Sequence, residues 1–322
     1  MWSFITRRVL IMIPMMFLVS IVCFTIVELQ PGDYVSQFLN NPDISTEQIQ
    51  MIRQQLSLDK SPVERYGMWI GGIVTRGDFG YSFAYKRPVI DLIGERMGWT
   101  VGLALLAIVF QWALAVPLGV YSARKPRSLG DYGLTGFALF GLSVPDFFLA
   151  IIIMFLMVSC GATSVGGLFS NEFVGAPMSW AKFLDLLGHI WVPIIVIGFA
   201  GVASLMRVMR SNYLDVEGAP FVESLRARGL SERQVSNRVL KNALNPMVSL
   251  AGAQLPEIFS GTITASIVLA LPTMGPFFYD ALLNGDQYLV MGFLMLIAFI
   301  TQIGNLLADV ALALLDPRIR MS

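Results

Sequence analysis

Charge is scarce in this chain. Only 14% of its 322 residues are Asp, Glu, Lys or Arg, where ordinary soluble domains carry about 25%. The 22 basic residues are matched by 22 acids, so the surplus of positive charge that a nucleic-acid-binding face needs is absent. There is one histidine, His189, and there are two cysteines, Cys23 and Cys160. Two cysteines cannot make a disulfide framework. Neither a zinc site nor a Ser-His dyad is visible, since each needs partners at motif spacing, and a lone His189 reads as interfacial. No G-x-x-x-x-G-K-[ST] phosphate loop occurs, which removes that machinery of nucleotide hydrolysis. No internal repeat or low-complexity tract is present. What is abundant is apolar: 55% of residues, with a mean hydropathy of +0.67. That composition excludes disorder and favours one bundle in a membrane over two soluble domains.

A hydrocarbon core about 30 Å thick takes roughly 20 apolar residues per helix. Six stretches meet that need, at 9–29, 98–121, 134–158, 190–206, 247–271 and 289–315, and none contains Lys or Arg. The first is too long for a signal-peptide apolar region and runs into Glu28-Leu29-Gln30-Pro31-Gly32-Asp33 with no small-residue cleavage pattern, so it reads as an uncleaved span. The expected class is an all-α integral membrane protein with six transmembrane helices.

Basic residues set its direction. Arg7 and Arg8 precede the first span, and Arg124, Lys125 and Arg127 lie between the second and third. Arg207, Arg210, Arg226, Arg228, Arg233, Arg238 and Lys241 lie between the fourth and fifth, and Arg318 and Arg320 follow the sixth. These are 14 of the 22 basic residues, all on one side, which the rule assigns to the cytoplasm with both termini. The organisation expected is a first segment 1–29, an outer helical element 30–97, a five-helix core 98–315 and a cytoplasmic tail 316–322.

Two segments outside the membrane are too patterned to be linkers. In 30–97, Ser45 and Gln48 make a capping box ahead of Ile49, Ile52 and Leu56 on one helical face. Ser61-Pro62-Val63-Glu64 predicts a second helix start with Pro at its first position, and Val63, Tyr66, Ile70 and Ile73 continue a stripe. Gly77-Asp78-Phe79-Gly80 reads as a turn. The element is either a cap on its own bundle or a docking surface for an external partner.

The second patterned segment is 211–246. Pro220 suits a first helical position, Phe221, Val222 and Leu225 give a short apolar face, and Gly229 suits a left-handed stop. Ser231-Glu232-Arg233-Gln234 opens another helix, with Val235, Val239 and Leu240 on one side and Pro246 marking entry to the fifth span. Two short helices meeting at a glycine corner, with more apolar surface than a solvated loop needs, should be buried against something. A basic loop hugging anionic lipid explains neither the cap nor the glycine.

Glu223-Ser224-Leu225-Arg226-Ala227-Arg228-Gly229 resembles the E-A-A-x-x-x-G loop of ABC-importer membrane subunits. The continuation from Gly229-Leu230-Ser231-Glu232-Arg233 to Lys241-Asn242-Ala243-Leu244-Asn245-Pro246 is similar to the dipeptide/oligopeptide/nickel permease family, in its first-permease or B-type form. Further landmarks agree along nearly the whole chain: Arg7-Arg8 to Pro14, Pro31-Gly32-Asp33, Leu58-Asp59 with Pro62 and Tyr66, Gly77 to Ser82, and Leu315-Asp316-Pro317-Arg318-Ile319-Arg320.

The resemblance implies a type I ABC importer permease fold, a half-channel in the inner membrane with no chemistry and no cofactor of its own. It implies a second homologous permease subunit, two cytoplasmic ATP-binding subunits, an extracytoplasmic solute-binding protein and surrounding membrane lipid as partners. The loop would be a coupling helix seated in a cleft of an ATPase. Phe221, Val222 and Leu225 would fill that cleft, Glu223, Arg226 and Arg228 would contact its rim, Gly229 would allow the corner, and Ala227 belongs to the same coupling segment. The cargo implied is a peptide or a similar polar solute, with oligosaccharides an alternative and nickel a weaker one.

Ionisable groups at membrane depth are functional candidates, and Asp146, Glu257 and Asp309 qualify. Asp146 and Glu257 each follow a proline and would line the pathway or brace helices; Asp309 would do the same, or pair with a cation of a neighbouring helix or with the cytoplasmic edge. An ion-coupled secondary transporter could use the same acids, but it predicts paired halves with broken helices, and no such symmetry is evident. The family pattern after the fifth span, a Glu followed by Phe and Pro-Gly-x-Gly, is replaced here by Ser266 and by Pro272-Thr273. That departure bears on cargo choice more than on fold.

Overall fold

The computed structural model describes residues 2–30, 47, 50, 51, 59–162 and 164–315, the side chains at 2–4, 249, 252, 253, 255–262, 314 and 315 excepted. Ser45, Gln48, Ile49, Ile52 and Leu56 of the first helix signal, the Pro31-Gly32-Asp33 landmark and the 316–322 tail therefore lie outside the described residues. The described chain is almost wholly helical. In order it runs α1 (Trp2–Glu28), α2 (Pro62–Arg76), a two-residue hairpin β1 (Tyr81–Ser82) and β2 (Arg87–Pro88), α3 (Val89–Arg124), α4 (Leu129–Ser143), α5 (Asp146–Ser159), α6 (Trp180–Glu217), α7 (Pro220–Ala227), α8 (Glu232–Val268), α9 (Met274–Leu283) and α10 (Gln287–Leu315).

Among the described residues, four helices are long and apolar enough to cross a membrane: Ile5–Glu28, Val89–Arg124, Trp180–Glu217 and Gln287–Ala313. They contain the first, second, fourth and sixth expected spans. The third is not the single helix expected over 134–158. It is broken into α4 and α5, which bend by 103°. The cause is Pro145, which fixes an extended N-cap (φ −63°, ψ 141°) and cannot donate back into α4, while Val144 ahead of it is extended too (φ −90°, ψ 119°). The fifth expected span lies within α8, whose side chains at 249, 252, 253 and 255–262 are outside the described residues. Among the described residues the candidate spans therefore number four, or five with the bent pair taken as one. Pro246 does not open a new helix either: α8 is continuous from Glu232 through it, as Pro14, Pro117 and Pro193 are carried inside α1, α3 and α6.

The chain divides into two compact units. One comprises Trp2–Thr100 with Pro272–Gln302. There Ser61 caps α2, with the Glu64 amide donating to Ser61 Oγ at 3.4 Å and the Ser61 amide to Glu64 Oε2 at 3.1 Å. The buried face of α2 is Arg65, Trp69 and Gly72, not a stripe begun by Val63, which is 80% exposed. Arg65 turns inward because it pairs with Glu28 of α1, and Trp69 Nε1 donates to the Phe79 carbonyl at 3.1 Å. Tyr66 meets Phe17 and Phe24 edge-on. Gly77 ends α2 in the left-handed region (φ 66°), and the Gly80 amide returns to Asp78 Oδ1 at 2.9 Å, which closes the expected turn. Asp286, fully buried, ties the hairpin to the start of α10 by accepting from the Ser82 hydroxyl at 2.6 Å and the Ala84 amide at 3.1 Å.

The other unit comprises Val101–Leu271 with the chain from Ile303. Its core joins α3, α4, α6, α7 and α8 through small and flexible residues, among them Ala115, Ala138, Ala203, Met206, Met209, Tyr213, Val239 and Met247. Without a hydrophobic drive between helices in lipid, close backbone approach is what favours association. Gly119 illustrates it: a Cβ there would sit 2.7 Å from Met209 Cβ and 2.8 Å from the Met206 carbonyl.

Candidate functional site

The corner between α6 and α8 is built by local rules. Gly218 and Ala219 close α6, with the Gly218 amide donating to the Leu214 carbonyl at 3.1 Å, and Pro220 starts α7 at the position where its missing N–H costs nothing. At the other end the Gly229 amide donates to the Arg226 carbonyl at 2.9 Å, and the Leu230 amide reaches the Leu225 carbonyl at 3.3 Å. This pair of bonds around a left-handed residue (Gly229 φ 77°) is a Schellman stop. Leu230, half-buried, packs on the cluster that contains Leu225, which supplies the apolar contact such stops usually carry. The next helix then opens at Ser231, whose amide donates to Gln234 Oε1 at 3.0 Å.

The apolar face of α7 is divided. Val222 is fully buried and Leu225 is 9% exposed, both against Tyr213 of α6 and Val235 and Val239 of α8. The expectation that they fill a cleft on another protein is corrected: their own chain covers them, because α7 returns onto the α6–α8 pair once the glycine corner turns it. Phe221 remains 41% exposed. Glu223, Ala227, Arg228 and Gly229 are exposed around it. Arg226 is held internally. Its Nε donates to Glu232 Oε1 at 3.0 Å and its Nη2 to Glu217 Oε1 at 3.4 Å, so one guanidinium links the end of α6, α7 and the start of α8. Glu232 beside it raises the guanidinium pKa above its ordinary value.

Beneath the corner lies a polar network that the residue pattern did not single out. Arg210 of α6 donates to Asp131 of α4 through Nε and Nη2, both at 2.8 Å. The Ser122 hydroxyl also donates to Asp131, and the Arg127 amide reaches its other oxygen at 2.9 Å. Tyr213 and Ser236 share a hydrogen bond at 2.8 Å, and Asn212 Nδ2 donates to the Ala243 carbonyl at 3.3 Å. The only sequence signal for the first network was an acid three residues after Ser128 in a basic loop.

The membrane-depth acids lie on three different helices. Asp146 is the first residue of α5 and is half-buried at the bend. Glu257 lies within α8, its side chain outside the described residues. Asp309 lies within α10. His189 Nδ1 donates to the Asp185 carbonyl at 2.8 Å, one turn back along α6. Among the described residues no group of three or more His, Cys, Asp or Glu is placed to hold a metal.

Membrane-length helices joined through an anchored, outward-facing corner define a helical integral membrane protein. Residues 115–321 match the family described as binding-protein-dependent transport system inner membrane component, and residues 1–104 match its N-terminal companion. The chain belongs to this family of bacterial inner-membrane ABC transporter permeases. It is 32% identical to the oligopeptide transport system permease protein AppB of Bacillus subtilis, over 99% of both chains. It is 31% identical to the dipeptide transport system permease protein DppB of Escherichia coli, again over 99% of each.

Proposed function

We propose that this chain forms half of the translocation pathway of an ATP-driven peptide importer, and that α7 transmits the movement of a cytoplasmic ATPase to the spans. The observation that carries the reading is the two-sided construction of α7. Val222 and Leu225 root it in α6 and α8, while Phe221, Glu223 and Arg228 face outward next to a left-handed glycine. A helix anchored on one face and free on the other acts as a lever, since force on the free face reaches the long helices through the buried one. In this reading Phe221 enters the ATPase cleft, Glu223 and Arg228 meet its rim, and Arg226 keeps α7 rigid through Glu217 and Glu232.

The chain would work with a second homologous permease, two ATP-hydrolysing subunits and an extracytoplasmic solute-binding protein. The basic side of the bundle, which carries the corner and both termini, would face the cytoplasm. Peptide cargo is supported by the names of the two relatives above. The pathway would include Asp146 and Glu257, at the bend and within the most polar long helix. Oligosaccharide cargo is the second reading. It is favoured by Ser266 and Thr273, both buried hydroxyls with no hydrogen-bond partner among the described residues, standing where the family pattern has an acid and a glycine.

Reconstitution of the assembled transporter with its binding protein tests the proposal. Peptide uptake should require ATP and should stop when the ATPase subunit is inactivated, whereas an ion-coupled carrier would continue. A cysteine at Phe221 should cross-link to the ATPase; cross-links only to lipid or to this chain would overturn the lever.

A further inference from the structure

A groove in the Val101–Leu271 unit is left unused by the coupling reading. α3 and α8 meet where Trp112 Nε1 donates to Gln254 Oε1 at 2.9 Å, next to buried Gln111. On the side toward the end of α3 and the start of α8 they part around two adjoining cavities, of about 750 Å³ and 540 Å³, that share Val116 and Pro117. The deep part is walled by Trp112, Ala113, Val116, Leu244 and Val248. The mouth carries Arg124, Lys125 and Lys241, all exposed, with the amides of Asn242 and Asn245 beside them. Among the described residues no Asp or Glu lines either cavity. Lys125 Nζ lies 5.2 Å above the Tyr121 ring, which holds one cation at the rim.

We infer that this groove binds an anionic phospholipid, its headgroup at Arg124, Lys125 and Lys241 and an acyl chain lying on Val116, Leu244 and Trp112. Charge complementarity selects the occupant. Three cations with no lining carboxylate, at the end of a membrane helix, form the basic interhelical pocket that anionic headgroups fill. The apolar floor continues from that mouth toward membrane depth, as an acyl chain requires and a free phosphate does not. One wall leads to the corner, α8 being the helix onto which α7 packs, so a bound lipid would stiffen the element that α7 leans on. The inference rests on the membrane setting and not on ATPase contact, so it stands or falls separately from the lever.

The test uses the assembled transporter in vesicles containing either dibrominated phosphatidylglycerol or dibrominated phosphatidylcholine. The Trp112 contribution to quenching is taken as the difference between the protein and its Trp112→Phe variant. Each surface cation adds roughly fivefold to the affinity for anionic lipid, so at least about fivefold preferential quenching by phosphatidylglycerol is expected. The triple variant Arg124→Gln, Lys125→Gln, Lys241→Gln should lose that preference, and Lys241→Arg should keep it, which separates lost charge from lost fold. Equal quenching by the two lipids, or none at Trp112, overturns the inference. So does a disulfide between Asn245→Cys and the second permease, which would make the groove a subunit interface.

Discussion

The Arg210 guanidinium grips the Asp131 carboxylate through two nitrogens at 2.8 Å, across 79 residues of chain, and so fastens α4 to α6 just below the corner. Asp131 is 3% exposed, and Ser122 and the Arg127 amide complete its hydrogen bonding. Removing one member leaves an uncompensated charge, whose cost is about 3–5 kcal/mol when fully buried. Because the Arg210 side chain is 31% exposed, Asp131→Asn should sit at the low end of that range. Arg210→Met should cost as much, and the double variant should recover part of the loss. Thermal unfolding of the detergent-purified chain checks this, and additive losses would show that the two residues are not coupled.

Gly229 is the second position where a small change should be felt. A Cβ there meets nothing within 4 Å, so any penalty of substitution comes from its φ of 77° alone. For a residue with a side chain that conformation costs about 1–2 kcal/mol, least for Asn and most for a β-branched residue. Uptake driven by ATP should therefore fall in the order Gly, Asn, Ala, Val, while the permease itself remains folded. Full uptake with Gly229→Val would remove the corner from the mechanism.

Features set by neighbours in the chain were legible in advance. Ser61 and Ser231 announced helix starts, Gly229 announced a stop, and Gly77–Gly80 announced a turn, because each is decided within about four residues. Hydropathy, read over a longer window, located four of the expected spans in long helices, but the helices at 98–121 and 190–206 run past the limits it set. Two kinds of feature were not legible. The apolar stripe of an eight-residue helix has a direction only once its packing partners are known, so Val222 and Leu225 were assigned to another protein when Tyr213, Val235 and Val239 cover them. Pairs such as Asp131 with Arg210, Arg65 with Glu28 and Ser82 with Asp286 join distant segments, and nothing local in the sequence couples them. Proline was ambiguous in itself: Pro145 breaks a helix where Pro246 is carried through one.

Tyr85 provides a titration. Its hydroxyl donates to Asp280 Oδ2 at 3.1 Å, and its ring packs on Phe277, 4.6 Å between centroids. Burial, then the Asp280 carboxylate, push its pKa up to about 12. A group whose folded pKa is raised contributes stability that is whole below its unfolded value, about 10 for tyrosine, and that drains as pH climbs to the folded one. The stability gap between the protein and Tyr85→Phe should thus stay constant to about pH 10 and close toward pH 12. In the ultraviolet difference titration of the two proteins, the missing phenolate should appear near the upper value. An ordinary tyrosine midpoint would show the Asp280 bond to be absent in solution.

Phe221 and Val222 are adjacent in sequence and opposite in role, and that contrast separates docking from anchoring. Phe221 is 41% exposed and Val222 fully buried. Truncating a buried aliphatic side chain loses transfer energy and leaves a cavity, so Val222→Ala should destabilise the permease by about 2 kcal/mol. Phe221→Ala removes exposed surface, where changes are usually within about 0.5 kcal/mol, and should leave the unfolding midpoint of the isolated chain almost unmoved. Its effect should instead emerge in the complex, as loss of the ATPase subunits during co-purification and a matching loss of uptake. Val222→Ala, by comparison, should retain the ATPases while the permease stays folded but transmit their motion less well, giving ATP hydrolysis with reduced transport. Were both variants to lose stability equally and keep the ATPases equally, α7 would have one buried face and no docking face, and the lever would have nothing to grip.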